Sequence, residues 1–148
     1  MNKEATLGYL AGYLDADGSI CISKKFKQQS YFIAVSLVGC KRESLDLFVN
    51  YFSMGNIYLS KEKRKENDRP VFRLQYTARQ AKTVLEALEP YLILKQRQAQ
   101  LAIKTQELIS EFSGTYIRYH PEVKEIRNKK ISALRNENMI LNKRGKND

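Results

Sequence analysis

Two carboxylates stand close together in the segment Asp15-Ala16-Asp17-Gly18, where a helical pattern of apolar residues ends. A helix that ends there leaves its last carbonyl oxygens unpaired and brings the negative end of its dipole to the same point. Carboxylate and carbonyl oxygens are the ligands that hard divalent cations prefer. The segment is therefore a candidate metal site, although an Asp-rich turn closed by glycine is common without any metal.

Other metal and cysteine chemistry finds little support. An EF-hand loop shares the Asp-x-Asp-Gly pattern, but Tyr13 occupies its upstream ligand position and no Glu closes the loop. The two cysteines, Cys21 and Cys40, form no C-x-x-C pair, which argues against structural zinc and against a disulfide framework. Isolated thiols favour a reducing, intracellular location, but they do not distinguish between the cytoplasm, the nucleoid and an organelle. The single histidine, His120, lies in a turn and receives no role.

The elements that position these residues follow from hydrophobic periodicity. Apolar residues at helical spacing predict a first helix over 5–14, which Gly18 would end in the left-handed conformation. The further predicted elements are strands 20–26 and 31–38, a helix over 41–52, strands 57–63 and 70–76 around a charged hairpin tip at 63–69, and helices 78–88, 94–112 and 121–134. This order predicts an α+β fold, αββαββα plus C-terminal helices, with the helices on one face of a four-stranded antiparallel sheet.

Length and charge narrow the class of protein. The 148 residues suit one domain, 1–148, with a basic extension from about 121 to 148. With 26 basic and 16 acidic residues the net charge is +10, which favours nucleic acid over a membrane surface as the polyanionic partner. No signal peptide and no apolar run of membrane length is present, so no membrane partner is expected. The polar face of the predicted sheet either enters a DNA major groove or is simply solvated.

The segment 10–18, Leu-Ala-Gly-Tyr-Leu-Asp-Ala-Asp-Gly, resembles the LAGLIDADG motif and departs from it only at Tyr13 and Leu14. Three later segments are similar to the same family: Gly-Asn-Ile-Tyr at 55–58, Pro-Tyr-Leu-Ile-Leu-Lys-Gln-Arg-Gln-Ala at 90–99, and the basic ending at 141–146. By these motifs the chain resembles a LAGLIDADG homing endonuclease of the single-motif, homodimeric type.

The resemblance implies the αββαββα homing-endonuclease fold, in which the four-stranded sheet binds double-stranded DNA. It also implies a site-specific double-strand break in a long pseudo-palindromic target, made by metal-dependent phosphodiester hydrolysis. The expected ion is Mg²⁺, and Mn²⁺ or Ca²⁺ could occupy the same site. The alternatives are an intron RNA-splicing maturase, which makes intron RNA a further candidate partner, and a non-catalytic DNA-binding protein of the same fold.

A single carboxylate-bearing helix end per chain cannot hydrolyse both strands of a duplex, and 148 residues cannot hold a second copy of the domain. Two chains are therefore expected to associate as a homodimer. Two interior helix glycines each cost about 1 kcal/mol relative to alanine, and a close helix–helix contact would explain why they are tolerated. We predict a dimer interface at Gly8, Ala11, Gly12 and Asp15. The alternative is that the glycines pack only against the chain's own sheet.

The resemblance assigns the metal to Asp17, which would be the catalytic carboxylate, with the carbonyl of Ala16 as a further ligand. Lys95 matches a basic residue of the family that stands beside the phosphate, where it would stabilise developing negative charge. Without the resemblance, Lys95 would be interpreted as a surface lysine at the start of a helix.

Many family members carry a Gln after the second strand that orients the hydrolytic water. An ungapped alignment places Gly39 at that catalytic position, and a shift of one residue would place Cys40 there. Neither residue can replace a Gln amide. Lys41 or Arg42 are the substitutes that the sequence offers for this pocket.

Target recognition is expected to use the sheet together with the basic C-terminal segment. The groove-facing candidates are Ser23, Lys25, Lys27, Gln29, Ser36, Tyr58, Ser60, Arg73 and Gln75. Among these, Lys and Arg suit guanine edges and Gln suits adenine. The candidates for phosphate contacts are Lys124, Arg127, Lys129, Lys130, Arg135, Lys143, Arg144 and Lys146. The alternative for this second group is a solvated helix face and a frayed tail.

Overall fold

The computed structural model describes residues 2–28, 30–60 and 69–147, and the side chains of these residues except those of 28 and 144–147. The helices are α1 (Lys3–Asp17), α2 (Arg42–Phe52), α3 (Ala78–Leu88), α4 (Gln96–Glu111), α5 (Thr115–Tyr119) and α6 (Pro121–Asn147). The strands are β1 (Gly18–Lys25), β2 (Ser30–Gly39), β3 (Ile57–Leu59) and β4 (Phe72–Thr77). Two short 3-10 turns, Phe26–Gln28 and Glu89–Tyr91, follow β1 and α3.

The four strands form one antiparallel sheet in the order β1-β2-β4-β3. Gly18, the first residue after α1, already pairs with Leu37 of β2, so the end of the motif helix lies directly against the sheet. The α+β fold class and the αββαββα order predicted from the sequence are confirmed.

Alternation along the strands separates a buried face from an open one, as the sequence predicted. The buried face is formed by Ile20, Ile22, Ile33, Val35, Leu37, Leu74 and Tyr76. Helices α1, α3 and α4 pack against the strands and bury Leu10, Leu85 and Leu101 in the same core. Because these apolar residues pack against one face of the sheet, the polar residues of the other face remain accessible.

The motif helix α1 begins earlier than predicted, because the side chain of Asn2 caps it by accepting a hydrogen bond from the amide of Ala5 (2.7 Å). The prediction that Gly18 ends the helix in the left-handed conformation was wrong, since its φ of −105° and ψ of 174° are extended. Glycine is required there for space. A Cβ would overlap the side chain of Leu14 and lie 3.1 Å from that of Leu37.

The C-terminal region is more helical than the sequence indicated. The short helix α5 was not predicted, and α6 runs unbroken to Asn147 instead of stopping near residue 134. Its polar face carries the side chains of Arg135, Asn138 and Asn142, which bond to the main chain of β1 and hold the helix in place. The frayed tail considered from the sequence is therefore wrong.

Helix α6 lies along β1 and bonds to its main chain. The side-chain amides of Asn138 and Asn142 donate to the carbonyl of Ile20 (3.1 and 3.2 Å), and Arg135 Nε donates to that of Ile22 (3.1 Å). Since β1 pairs with β2 on one side only, these bonds satisfy carbonyls on its other side.

Several predicted features fall outside the described residues, namely Gln29, most of the hairpin tip 63–69 and the side chains of Arg144 and Lys146. The third strand was predicted to continue to residue 63. Its described part ends at Leu59, after which the Ser60 amide donates to the carbonyl of Val71 (2.8 Å). Among the helices of the described ranges, none combines the length and apolar character that crossing a bilayer requires.

Candidate active site

The end of α1 presents an exposed carboxylate beside main-chain carbonyls. Asp17 is the last residue of the helix, and its side chain is exposed. The carbonyl of Asp15 is occupied, because it accepts a hydrogen bond from Lys95 Nζ. The carbonyl of Ala16 comes next in the last turn, where helical geometry supplies no N–H donor. The helix end therefore offers one charged and one neutral oxygen close together.

Asp15 fixes this helix end to a distant part of the chain. Its carboxylate accepts hydrogen bonds from the amides of Ile93 (2.8 Å), Leu94 (3.2 Å) and Lys95 (3.0 Å). Only 8% of the residue is exposed. Because its oxygens face these amides, Asp15 holds the segment before α4 against the end of α1. This contact could not be predicted from the local sequence, because its partners are far apart in the chain.

Lys95 is brought to the same point by that contact. It is the residue that precedes α4, and its ammonium group donates to the Asp15 carbonyl at the C-terminal end of α1. A cation at this end of a helix is favoured by the helix dipole. The structure thus places the Lys95 ammonium at the C-terminal end of α1, the helix end that also carries Asp17.

The contact made by Asp15 should contribute measurably to the free energy of unfolding. We expect Asp15→Ala to lower the free energy of unfolding by about 3 kcal/mol, because three neighbouring amides lose a buried acceptor. Urea unfolding followed by circular dichroism measures the change. Asp17→Ala is the matched control, since it removes an exposed acid from the same helix end and should shift stability by less than about 0.5 kcal/mol. Equal effects of the two substitutions would contradict the role assigned to Asp15.

The glycine face of α1, formed by Ala5, Gly8, Tyr9, Gly12 and Ala16, is exposed. Nothing lies within 4 Å of a Cβ built at Gly8 or Gly12, so these glycines do not pack against the chain's own sheet. The opposite side of the helix buries leucines in the core. A helix that is apolar on all sides is normally buried on all sides, whereas the glycine face of α1 is exposed.

Ala11 does not belong to the glycine face. The prediction that it lies in a dimer interface was wrong, because its side chain is fully buried in the protomer's own core together with Leu7 and Leu14. The physical reason is helical spacing, which places residues four and three apart on one side. Asp15 is also turned inward, so among the four predicted interface residues only Gly8 and Gly12 face outward.

Gly39 lies at the end of β2, on the side of the sheet that faces α1. Tyr13 Oη donates to the carbonyl of Val38 (2.6 Å), and a Cβ at residue 39 would lie 2.6 Å from that same hydroxyl oxygen. Residue 39 therefore faces Tyr13 and offers no side chain that could orient a water, and its alignment with the water-orienting position stays a prediction. Strand alternation turns this position toward Tyr13, away from the open face.

The residues that follow Gly39 form the junction between β2 and α2, residues 39–42. Cys40 and Lys41 are both exposed. Arg42 opens α2 and makes a loose ion pair with Asp46 of the same helix (3.7 Å), which is largely exposed and therefore weak. Among the residues suggested for the water-orienting task, Lys41 is the one whose exposed side chain has no acidic partner in the described part of the chain.

The open face of the sheet carries the predicted groove-facing residues in cross-strand rows. Two rows cross three strands, Ser19–Ser36–Gln75 and Val38–Arg73–Tyr58, and two cross β1 and β2, Ser23–Phe32 and Lys25–Ser30. Lys27 is exposed in the turn that follows β1, and Ser60 follows β3. Phe32 and Val38 interrupt this polar face, as the alternation along the second strand indicates.

The basic residues of α6 have different surroundings. Lys130 and Lys143 are exposed, whereas Arg135 is half-buried and bonded to β1. Arg127 is 7% exposed, and its Nη1 donates to the carbonyl of Phe112 (2.6 Å). Burial lowers the pKa of its guanidinium from the ordinary value. The prediction that Arg127 contacts phosphate was therefore wrong, since it instead ties the end of α4 to α6.

The oxygen atoms at the end of α1 are of the type that binds a divalent cation, but one protomer supplies too few of them to fill its coordination shell. Within the described residues, no group of three or more His, Cys, Asp or Glu side chains could hold a metal ion. One protomer offers the Asp17 carboxylate and the Ala16 carbonyl, which are hard ligands of the type that Mg²⁺ prefers. A second helix end related by two-fold symmetry would double this set, so the donors fit a site shared between two protomers.

Comparison with known proteins agrees with this geometry. A sequence model of the LAGLIDADG endonuclease family matches residues 10–108, and no curated protein matches at a significant level. The homing endonuclease I-CvuI, in complex with its target in the presence of Ca, superimposes with a TM-score of 0.67 at 21% identity, over 93% of this chain and 82% of that one. The archaeal intron-encoded homing endonuclease I-Vdi141I, complexed with DNA, gives 0.69 at 18% identity over 95% and 86%.

A third structure, the LAGLIDADG meganuclease I-AabMI bound to uncleaved DNA, gives a TM-score of 0.63 at 17% identity over 87% of this chain but only 43% of that one. These likenesses establish the fold. The matched residues 10–108 include the second half of the motif helix, the whole sheet and Lys95, and they are well over half of the chain. The chain therefore belongs to the LAGLIDADG endonuclease family.

Proposed function

We propose that the protein is a homodimeric, site-specific DNA endonuclease that breaks both strands of a long pseudo-palindromic target with the help of Mg²⁺. The observation that carries the proposal is that α1 combines an exposed glycine face with the exposed carboxylate of Asp17 at its C-terminal end. Two such helices packed through this face would bring two acids together at one end. Two acids are what cleavage of a duplex requires, because each of its two strands must be hydrolysed.

Dimerisation is supported by the glycine face and by the size of a related protein. Without side chains beyond Cβ at Gly8 and Gly12, a second helix can approach the backbone closely. This chain covers only 43% of I-AabMI, so that protein has room for a second copy of the fold within one chain. A chain with one copy reaches the same arrangement by pairing with itself, as C2 symmetry commonly provides.

The metal would be held by Asp17 and the Ala16 carbonyl of each protomer. Bound there, Mg²⁺ supplies Lewis-acid stabilisation of the phosphate and a more acidic water. Structures of I-CvuI with DNA were determined in the presence of Ca and of Mg, which fits the use of divalent cations in this fold. Mn²⁺ or Ca²⁺ could occupy the same oxygen ligands.

In the proposed reaction a water oxygen bonds to phosphorus and the bond to the 3′ oxygen breaks, which leaves a 5′-phosphate and a 3′-hydroxyl. The leaving oxygen takes up a proton, and the attacking water gives one to the solvent. The Lys95 ammonium, held at the end of α1 by the Asp15 carbonyl, would stabilise the negative charge that develops on the phosphate. Asp15 acts on this step only by holding the Lys95 segment in place.

The open face of the sheet would lie in the major groove. Arg73 and Gln75 stand there with Ser36 and Tyr58, and Lys25 and Ser23 extend the surface toward the β1–β2 tip. Arginine and lysine suit guanine, and glutamine suits adenine. Gln29, Lys27 and Ser60 complete the groove-facing set as proposals from the sequence, and Lys130, Arg135, Lys143 and Arg144 are proposed to contact phosphates.

The proposal is tested with a supercoiled plasmid library in which one randomised half-site is repeated with two-fold symmetry. Incubation with Mg²⁺ should produce linear plasmids, whose ends can be ligated and sequenced to give one preferred site. EDTA should abolish the product. Failure to linearise any member with Mg²⁺ or Mn²⁺, while duplex DNA is still bound, would favour a non-catalytic DNA-binding protein. Tighter binding of structured intron RNA than of every duplex would favour a splicing maturase.

Phosphate contacts should be separable from base contacts by their salt dependence. We expect Lys143→Ala to weaken binding equally on all duplexes and to reduce the slope of log K against log salt by about 1.8, or about 0.9 for each protomer of the proposed dimer. Gln75→Ala, the matched variant on the sheet, should leave the slope unchanged and relax preference at one position of each half-site. Fluorescence anisotropy over a NaCl series with the selected site and a scrambled duplex measures both. An unchanged slope for Lys143→Ala would show that this lysine faces solvent only.

A further inference from the structure

The junction between β2 and α2 is tied to α1 through one phenol. Tyr13 Oη donates to the carbonyl of Val38 (2.6 Å), and the side chain of Ser44 of α2 acts to lower the pKa of the same phenol. Its ring lies edge-to-face against Phe48 of the same helix, with 5.6 Å between the ring centroids. A single side chain therefore holds the end of β2 and the first turn of α2 against the motif helix.

Gly39 leaves the room that this arrangement needs. A Cβ at residue 39 would lie 2.6 Å from Tyr13 Oη but 3.9 Å from Tyr13 Cζ. The first distance is a clash, whereas the second is an ordinary van der Waals contact. A phenylalanine at residue 13 would therefore tolerate a side chain at residue 39, and the tyrosine hydroxyl does not. Tyr13 and Gly39 form a coupled pair.

Tyr13 also stands one helical turn before Asp17, and residues four apart lie on the same side of a helix. Burial first, and then the negative charge of Asp17, raise the pKa of Tyr13 above its ordinary value. The phenol is consequently neutral at neutral pH and acts as a hydrogen-bonding group. Asp17 of the candidate metal site and Cys40 of the junction therefore both act on the phenol.

We infer that Tyr13 is a positioning residue for cleavage, which fixes the β2–α2 junction so that Lys41 can reach the phosphate bound at Asp17, in a coupled pair with Gly39. This inference rests on the proposed function. The junction lacks a Gln amide to orient the water, and Lys41 is its exposed cation without an acidic partner in the described residues. The Tyr13 hydroxyl acts through the carbonyl of Val38 and through Ser44, and it does not contact the reacting atoms.

The pair is tested first without DNA or metal, by a double-mutant cycle in melting temperature. Gly39→Ala alone should lower the melting temperature by about 4 °C or more, because its Cβ meets the hydroxyl. In the Tyr13→Phe background the same substitution should change it by less than about 1 °C. Equal effects of Gly39→Ala in both backgrounds would refute the coupled pair, whatever the protein does to DNA.

The role in cleavage is tested by single-turnover kinetics on the plasmid site selected above. Tyr13→Phe should reduce the rate constant at saturating DNA and Mg²⁺ by about 10- to 100-fold. The half-saturating concentrations of both should stay within about twofold, and the reduction should be equal at every pH between about 6.5 and 8.5, since the phenol does not titrate there. Tyr51→Phe removes the hydroxyl group of a half-buried tyrosine on α2. This variant is the matched control and should leave the rate unchanged.

Action through Lys41 is tested by combining substitutions. If Tyr13 works by placing Lys41, the variant with both Tyr13→Phe and Lys41→Met should cleave no more slowly than Lys41→Met alone. Multiplying losses would show that the hydroxyl does not act through Lys41. A wild-type rate for Tyr13→Phe would overturn the inference and leave the proposed nuclease intact. Loss of cleavage in the wild-type protein itself would overturn the proposed function, and the melting-temperature cycle would still report on the pair.

Discussion

Asp17→Asn is expected to reduce cleavage of the selected plasmid by at least about 10³-fold, which corresponds to about 4 kcal/mol of lost transition-state stabilisation. The amide keeps the shape of the side chain but removes the negative charge that would bind Mg²⁺. Asp17 is exposed at the end of α1, so the substitution should leave folding intact. In the proposed dimer both cleavage centres would lose their acid at once. Linear and nicked plasmid resolved on agarose over a time course measure the effect.

Binding separates this result from a loss of the DNA interface. The variant should hold the selected duplex with a dissociation constant within about threefold of the wild type in an EDTA-containing buffer, because the sheet is unchanged. Asp46→Asn on α2 is the control, since it neutralises another accessible acid away from the helix end. Strand cleavage that survives Asp17→Asn would remove this residue from the chemistry, and equal losses in both variants would point to net charge alone.

Gly12→Leu is expected to separate the protomers and abolish double-strand cleavage. Within one protomer the new side chain meets nothing within 4 Å of its Cβ, and leucine favours a helix by up to about 1 kcal/mol over glycine. The protomer should therefore be at least as stable as the wild type. Overpacking costs about 1–3 kcal/mol per site, and two-fold symmetry doubles it. The dimer dissociation constant should rise by about 30-fold to 10⁴-fold.

Sedimentation equilibrium with and without the duplex measures this change, and plasmid linearisation measures its consequence. Glu107→Leu, an exposed position on α4, is the matched control for adding a leucine to a helix surface. It should leave both assembly and cleavage unchanged. A dimer of unaltered affinity in Gly12→Leu would place the contact between protomers elsewhere than on the glycine face.

The sequence predicted the fold class because its apolar pattern is local. Strand alternation assigned Ser36, Arg73 and Gln75 to the open face, and the structure places them there. The motif itself located the end of α1 and the exposed acid Asp17. These features need only neighbouring residues, for which helical and strand periods are reliable guides.

Contacts between distant residues were not predictable in this way. The carboxylate of Asp15 bonds to the amides before α4, which no pattern in the first helix reveals. Gly18 was assigned a turn conformation from its type, whereas the packing of Leu14 explains the glycine. Ala11 was grouped with the glycines by size, although helical spacing already placed it with the core leucines.

The surroundings of the residue aligned with the water-orienting position were not predictable from the sequence either. Counting residues from a later motif placed Gly39 at this position, yet the side of a strand on which a residue lies changes with each step. Only the register of β2 shows that residue 39 faces Tyr13. The departure of the motif at Tyr13 was visible in the sequence, and its connection to the glycine was not.

The bonds from α6 to β1 have a consequence for the behaviour of shortened chains. A strand at the margin of a sheet with unsatisfied carbonyls is a template on which another molecule can add a strand, the route to aggregation. Asn138, Asn142 and Arg135 block that route by occupying the carbonyls of Ile20 and Ile22. Protein lacking the segment after residue 120 would present this margin to its neighbours and self-associate without a fixed stoichiometry.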